Sequence, residues 1–155
     1  MRIFVDSIVI AANEQIIICL KYLKDKNQFV LVTSNGSRPR KYWKEAVQYI
    51  NSVNLSVHFE FVNDQKLLEN IEEICNHFDE HNDDHWLEIK LMSPPQFVER
   101  AVNLRDNILN NTTINKPGAN NRVKGSVSLV PIRSLGDSGN LVEYTTEQLQ
   151  LLQNQ

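Results

Sequence analysis

Short apolar runs alternate with amphipathic stretches along most of the chain. Each run is followed by a segment in which apolar residues recur at helical spacing, and the clearest stripe extends from Leu67 to Phe78. Four runs have the length and β-branched content of buried strands: 3–10, 28–33, 56–62 and 86–92. This alternation predicts right-handed βαβ crossovers and a mostly parallel sheet with helices on both faces. The expected fold class is therefore α/β, in a three-layer, Rossmann-like arrangement.

Residues typical of helix starts follow the predicted strands. Asn13 and Asp64 are predicted N-caps of the first and third helices, and Pro39 falls in the first turn of the second. Ser93, followed by two prolines, is the predicted cap of the fourth helix. These signals place the helix N-termini at the carboxyl ends of the strands.

The last third of the chain departs from this rhythm. Residues 110–122 are rich in Asn, Thr, Pro and Gly, which predicts a loop. Residues 127–132 predict a fifth strand, with 141–144 pairing beside it as a C-terminal hairpin. Thr145 and Gln148 have the spacing of a capping box and predict a short C-terminal helix.

The length of 155 residues suits one domain. We assign 1–110 to a Rossmann-like core and 111–155 to an appendage of the same domain. The composition, 41% hydrophobic and 23% charged, is that of a globular protein. No apolar run approaches the length of a membrane span, and the start lacks the layout of a signal peptide, which predicts a cytoplasmic protein.

Charge is distributed unevenly. The net charge of −3 argues against a dedicated DNA-binding protein. Eight Lys and Arg stand against four acids in residues 1–50, whereas three stand against eleven in 51–100. The basic residues concentrate between Arg38 and Lys44. This polarity favours binding of an anion or self-association.

The candidate ligand site lies beyond the carboxyl ends of the strands, where parallel sheets bind ligands. Gly36 permits a tight turn, Ser34 and Ser37 supply hydroxyls, and Arg38 can grip a phosphate. Glycine spacings of the nucleotide-binding motifs are absent. No catalytic set, cofactor or metal ligand is predicted. The predicted site residues are Asp6, Ser7, Ser34, Asn35, Gly36, Ser37, Arg38, Ser93 and Gln96.

Two metal-dependent alternatives remain open. Asp6, at the end of the first strand, resembles the opening of PIN-type nucleases, with Asp64 as a candidate second acid. A separate cluster around His77, His81 and His85 contains three histidines among acids, and the first two share a helix face.

The order of elements resembles the Rossmann-like ligand-sensing (CARF) domains of CRISPR-associated effectors. The resemblance rests on 29–34 followed by a basic helix, on 57–62, and on the final 144–149 segment. Residues 92–96 stand in place of the glycine-rich turn of that family. The resemblance implies a homodimer that binds a cyclic oligonucleotide over the ends of its first and fourth strands, near Asp6, Ser7 and Ser93.

Three functions follow as hypotheses. The first is a non-catalytic regulatory or sensing domain that binds an anionic ligand, such as a nucleotide or cyclic nucleotide. The second is a protein-interaction module (an immunity, inhibitor or assembly protein) that presents its acidic middle segment, around Asp83 and Asp84, to a basic partner. The third is the metal-dependent nuclease.

Overall fold

The computed structural model describes residues 2–5, 15–80, 85–114, 123–132 and 143–153. The strands in these ranges are β1 (Arg2–Val5), β2 (Phe29–Ser34), β3 (Ser52–His58), β4 (His85–Ser93) and β5 (Val123–Pro131). The α-helices are α1 (Gln15–Asp25), α2 (Arg40–Ala46), α3 (Asp64–Glu80), α4 (Val98–Asn111) and α5 (Thr146–Gln153). Short 3₁₀ turns cover Val47–Tyr49 and Pro95–Phe97. None of the described helices is long and apolar enough to cross a bilayer.

The strands form one parallel sheet in the order β1-β2-β3-β4-β5. Each strand therefore pairs with the strands nearest to it in sequence. The predicted α/β class, with a parallel sheet flanked by helices, is confirmed.

One face of this sheet forms the hydrophobic core. Alternate strand positions on that face are almost inaccessible to solvent: Val30, Val32, Val53, Leu55, Val57, Leu87, Ile89, Leu91, Val123 and Leu129. Buried residues from the described helices join the same cluster, among them Leu20, Trp43, Ile71, Phe78, Val98, Ala101 and Leu152. The register places these strand residues side by side on one face of the sheet. Since the buried residues of the five described helices belong to the same cluster, these helices pack against that face.

The sequential strand order explains this one-sided packing. A right-handed crossover places its helix on a fixed side when every strand adds beside the preceding one. The opposite face carries the alternate residues of the same strands, such as Asn54, Ser56, Glu88 and Lys90, all of them partly exposed. The described residues therefore supply two of the three layers expected from the sequence.

Two strands begin four residues earlier than the sequence pattern predicts. β3 begins at Ser52 and ends at His58, whereas the predicted strand covered 56–62. Polar residues alternate with buried ones along β3, so its first half is not a continuous apolar run. β5 begins at Val123 and pairs with β4 over nine positions, so it belongs to the sheet itself. The predicted cap Asn13 and the hairpin strand 141–142 lie outside the described residues.

The caps of two helices differ from the prediction. Asn63, not Asp64, caps α3, since its Oδ1 accepts a hydrogen bond from the Lys66 amide at 3.0 Å. Ser93 is the last residue of β4, and its hydroxyl donates to the Leu91 carbonyl at 2.7 Å instead of capping a helix.

Both reciprocal hydrogen bonds of the predicted capping box before α5 are present, so this prediction is confirmed. The Thr145 amide donates to Gln148 Oε1 at 2.9 Å, and the Gln148 amide donates to Thr145 Oγ1 at 3.2 Å. The box satisfies two amides at the start of this helix.

Candidate functional site

The order of the five described strands does not reverse at any point. In doubly wound sheets such a reversal opens the crevice in which ligands bind. Because the five described strands follow one another in sequence, no crevice of this kind forms between them. A ligand site at this edge must therefore be built by loops and helices.

The predicted residues at the ends of β2 and β4 do not come together. Ser34 is level with Leu55, and Leu55 with Ile89, whereas Ser93 lies four residues further along β4. Two strand spacings and four residues of rise separate the Cα atoms of Ser34 and Ser93 by about 16 Å. Asp6 and Ser7 lie outside the described residues.

The loop between β2 and α2 is held together by its own side chains. The Gly36 amide donates to Ser34 Oγ at 3.2 Å. The Ser37 amide and hydroxyl both donate to Asn35 Oδ1, at 3.1 and 2.7 Å. Ser34 and Asn35 therefore shape the loop, and the Ser37 hydroxyl donates within it.

Asn70 of α3 holds the same loop in place through its side-chain amide. Its side chain is buried, and its Nδ2 donates to the Gly36 carbonyl at 2.9 Å and to the Arg38 carbonyl at 2.6 Å. Gly36 has a φ of 74°, and a Cβ there would lie 2.7 Å from Leu67 Cδ1. Only glycine fits this turn without strain.

A pocket of about 350 Å³ opens between this loop and α3. Its lining residues are Ser37, Arg38, Pro39, Arg40, Lys66, Glu69 and Asn70. Arg40 is engaged by acids of α3, because its Nε donates to Glu73 at 2.8 Å and its Nη2 lies 3.6 Å from Glu72. That engagement leaves Arg38 and Lys66 as the lining cations for which no ion pair is found among the described residues.

Arg38 carries a positive charge and a buried side-chain donor for which the described part of the chain supplies no hydrogen-bond acceptor. Its guanidinium carbon lies 5.5 Å from the centre of the Tyr42 ring. Its Nη2 is buried and has no hydrogen-bond partner among the described residues, and the same holds for the Tyr42 hydroxyl. Burial raises the pKa of Tyr42, and the charge of Arg38 opposes this rise. Two unsatisfied donors thus lie at the carboxyl end of β2.

The end of β4 serves as an attachment point for α5. Ser93 is fully buried, and its carbonyl accepts a hydrogen bond from the Tyr144 hydroxyl at 2.8 Å. The same hydroxyl accepts from the Ile132 amide, and Gln148 Nε2 donates to the Pro95 carbonyl at 2.9 Å. These bonds join α5 to the ends of β4 and β5. Gln96 is exposed on the turn that follows β4.

The described residues give no geometric support to either predicted metal site. Among these residues, no group of three or more His, Cys, Asp or Glu is placed to hold a metal ion. His85 is buried and stacks on Phe78 with ring centres 4.3 Å apart. Asp64 contacts Arg100 through both carboxylate oxygens, at 2.6 and 3.0 Å. Asp6 and His81 lie outside the described residues.

The contribution of α3 to the pocket was not predicted from the sequence. Asn70 interrupts an otherwise apolar stripe between Leu67 and Ile71, and a polar residue on a buried helix face needs a partner. That interruption was the available signal. Lys66 and Tyr42 gave no comparable signal, because exposed lysines and half-buried tyrosines are common on helices.

Comparison with protein-family models, with curated proteins and with solved structures gives no match. The site therefore has to be interpreted from its own geometry.

Proposed function

We propose that this chain is a non-catalytic binding domain that takes an anionic ligand in the pocket between the β2–α2 loop and α3. The buried, unpartnered Nη2 of Arg38 carries the proposal. A guanidinium keeps its charge at all physiological pH values, and a buried donor without an acceptor costs about 1–3 kcal/mol or more. A shift of the Arg38 side chain that brings this donor to an anionic oxygen in the pocket would recover that cost.

The surroundings of Arg38 support an anion over a neutral ligand. Lys66 lines the same pocket, and the loop that carries Arg38 is already fixed by Asn70, so little ordering is needed upon binding. The volume of about 350 Å³ lies within the range of small-molecule sites, at its lower end. A phosphate group with a small organic substituent fits these limits.

The ligand class extends this proposal. Phosphate, like carboxylate, is an anion that a planar guanidinium binds in bidentate fashion, and nucleotides carry phosphate. The resemblance to CARF domains points to the cyclic members of that class. Arg38 and Lys66 support an anion, and the choice of a phosphate carried by a nucleotide follows from the resemblance.

Isothermal titration calorimetry tests the proposal with inorganic phosphate, mononucleotides and cyclic oligonucleotides as separate ligands. At least one ligand should bind the unmodified protein, and Arg38→Ala should weaken its affinity at least about tenfold, as expected for a lost charge-assisted bidentate contact. Lys41→Ala is the matched control, because Lys41 is an exposed cation of α2 outside the pocket lining.

The result can contradict the proposal in two ways. Absence of binding by all three ligands at millimolar concentration would remove the anion site. Equal affinity in Arg38→Ala and in the unmodified protein would show that any binding occurs elsewhere.

A further inference from the structure

The face of the sheet opposite the core is open and mixed in character. Trp86 and Phe29 are exposed there, at 45% and 38%. Between the ends of the strands the face is polar, with Asn54 and Ser56 on β3 and Glu88 and Lys90 on β4. We call this surface, formed by the alternate residues of β2 to β5, the open face.

An all-parallel sheet is nearly always covered on both faces. The described helices cover one face only, so within the described part of the chain no element supplies the second layer that such sheets normally have. An apolar covering layer does not fit, because it would remove water from Glu88 and Lys90 without giving either charge a new partner. The covering surface must itself present charges in a matching order.

When a second copy faces the open face with its strands antiparallel, the acid of each copy can lie opposite the lysine of the other. Glu88 and Lys90 lie on either side of Ile89, and their side chains form an ion pair at 3.1 Å. A twofold axis in the plane of the face, perpendicular to the strands at the level of Ile89, places Glu88 of each copy opposite Lys90 of the other.

The neighbouring strand follows the same symmetry. The register places Asn54 beside Glu88 and Ser56 beside Lys90, so the same axis puts an amide opposite a hydroxyl on β3. On β4, Trp86 and Met92 are equally distant from Ile89 and face each other across the axis. On β3 and β4, polar positions therefore meet polar ones, and Trp86 meets Met92. On β5 the axis places Ser126 opposite Ser128, whereas Lys124 lies opposite Val130.

We propose that the open face binds the open face of a second copy, with the strands of the two sheets antiparallel across this twofold axis. Two sheets that pack face to face keep their strand directions within about 30° of each other, which suits this arrangement. The flat area is about 400 Å² per copy from strand spacing and rise, which is small for a stable dimer. The dimer is therefore expected to be weak and concentration-dependent.

Charge exchange provides a direct test by sedimentation equilibrium up to several hundred micromolar. The unmodified protein should dimerise. Lys90→Glu and Glu88→Lys should each lower the association constant at least about tenfold, because each places like charges opposite one another. An equimolar mixture of the two variants should dimerise again, since one then carries two acids and the other two lysines at the facing positions.

Matched controls separate this contact from general charge effects. Lys41→Glu and Glu45→Lys make the same changes of charge on α2, on the helical side, and should leave dimerisation unchanged. Thermal melting of all variants checks that each one folds. The inference is overturned if the unmodified protein stays monomeric, if Lys90→Glu dimerises as before, or if the mixture fails to dimerise. The proposed anion pocket lies on the helical side, so loss of either property leaves the other testable.

Discussion

Replacing Asn70 with alanine should destabilise the domain through a single loop. The side-chain amide nitrogen of Asn70 donates hydrogen bonds to the carbonyls of Gly36 and Arg38, at 2.9 and 2.6 Å. Asn70 is only 3% exposed. Alanine leaves both carbonyls without this donor, at about 1–3 kcal/mol for the buried bond to Gly36 and about 1–2 kcal/mol for the part-buried bond to Arg38. The higher helix propensity of alanine returns less than 1 kcal/mol. We expect a net loss of about 2–4 kcal/mol.

Thermal or urea unfolding measures this loss. For a chain of this length, about 2–4 kcal/mol corresponds to a melting temperature lower by about 5–15 °C. Asn76→Ala is the control, because Asn76 is an exposed asparagine of the same helix and should cost less than about 0.5 kcal/mol. A loss below about 1 kcal/mol for Asn70→Ala would refute the reasoning, since the loop would then not depend on this residue.

Three further predictions test other parts of the fold. Gly125→Ala should cost about 3 kcal/mol or more in urea unfolding, because a Cβ there would lie 1.9 Å from the Leu87 carbonyl oxygen; near-native stability would contradict this close approach. Arg100→Ala should cost about 2 kcal/mol by the same measurement and Asp64→Ala less, since Arg100 also donates to two backbone carbonyls while the ion pair itself is over a third exposed; equal costs would contradict this division. Burial raises the pKa of Cys75 to about 12, so its thiol should stay unreactive towards a thiol reagent at pH 8 in the folded protein, and rapid labelling there would contradict its burial.

The helices were the most predictable part of the structure. The stripe from Leu67 to Phe78 falls within α3, and the capping box at Thr145 and Gln148 opens α5. Both signals are local, because helical spacing and cap chemistry depend on residues only a few positions apart. Asp64 failed as a cap by one position, since the neighbouring Asn63 offers the same kind of acceptor.

The order of the strands was not predictable from alternation alone. Strand-helix repeats are compatible both with a sheet that grows in one direction and with one that reverses. A signal was nevertheless present in the strands. Strands buried on both faces appear as continuous apolar runs, whereas 52–58 and 87–91 alternate apolar and polar residues. That alternation indicates one covered face, and it also explains why the start of β3 was placed too late.

The candidate site was predictable on one side only. Turn chemistry identified the loop from Ser34 to Arg38, because Gly36 and its polar neighbours mark a turn in any context. The same chemistry could not show that Ser34 and Asn35 would be consumed within the loop. Nor could it show that Asn70, more than thirty residues away, would meet the loop, since that contact depends on the packing of α2 against α3.

The sequential order of the strands also governs how the fold can grow and come apart. Each strand-helix unit contacts mainly the units before and after it, as in repeat proteins, whose stability is a sum of unit and nearest-neighbour terms. Such a chain can assemble progressively from its amino terminus during synthesis, because no strand has to wait for a later one to be inserted between it and its neighbour. Among the described strands, the two at the ends of the order, β1 and β5, are the places where unfolding should begin and where evolution could add a further unit without disturbing the others.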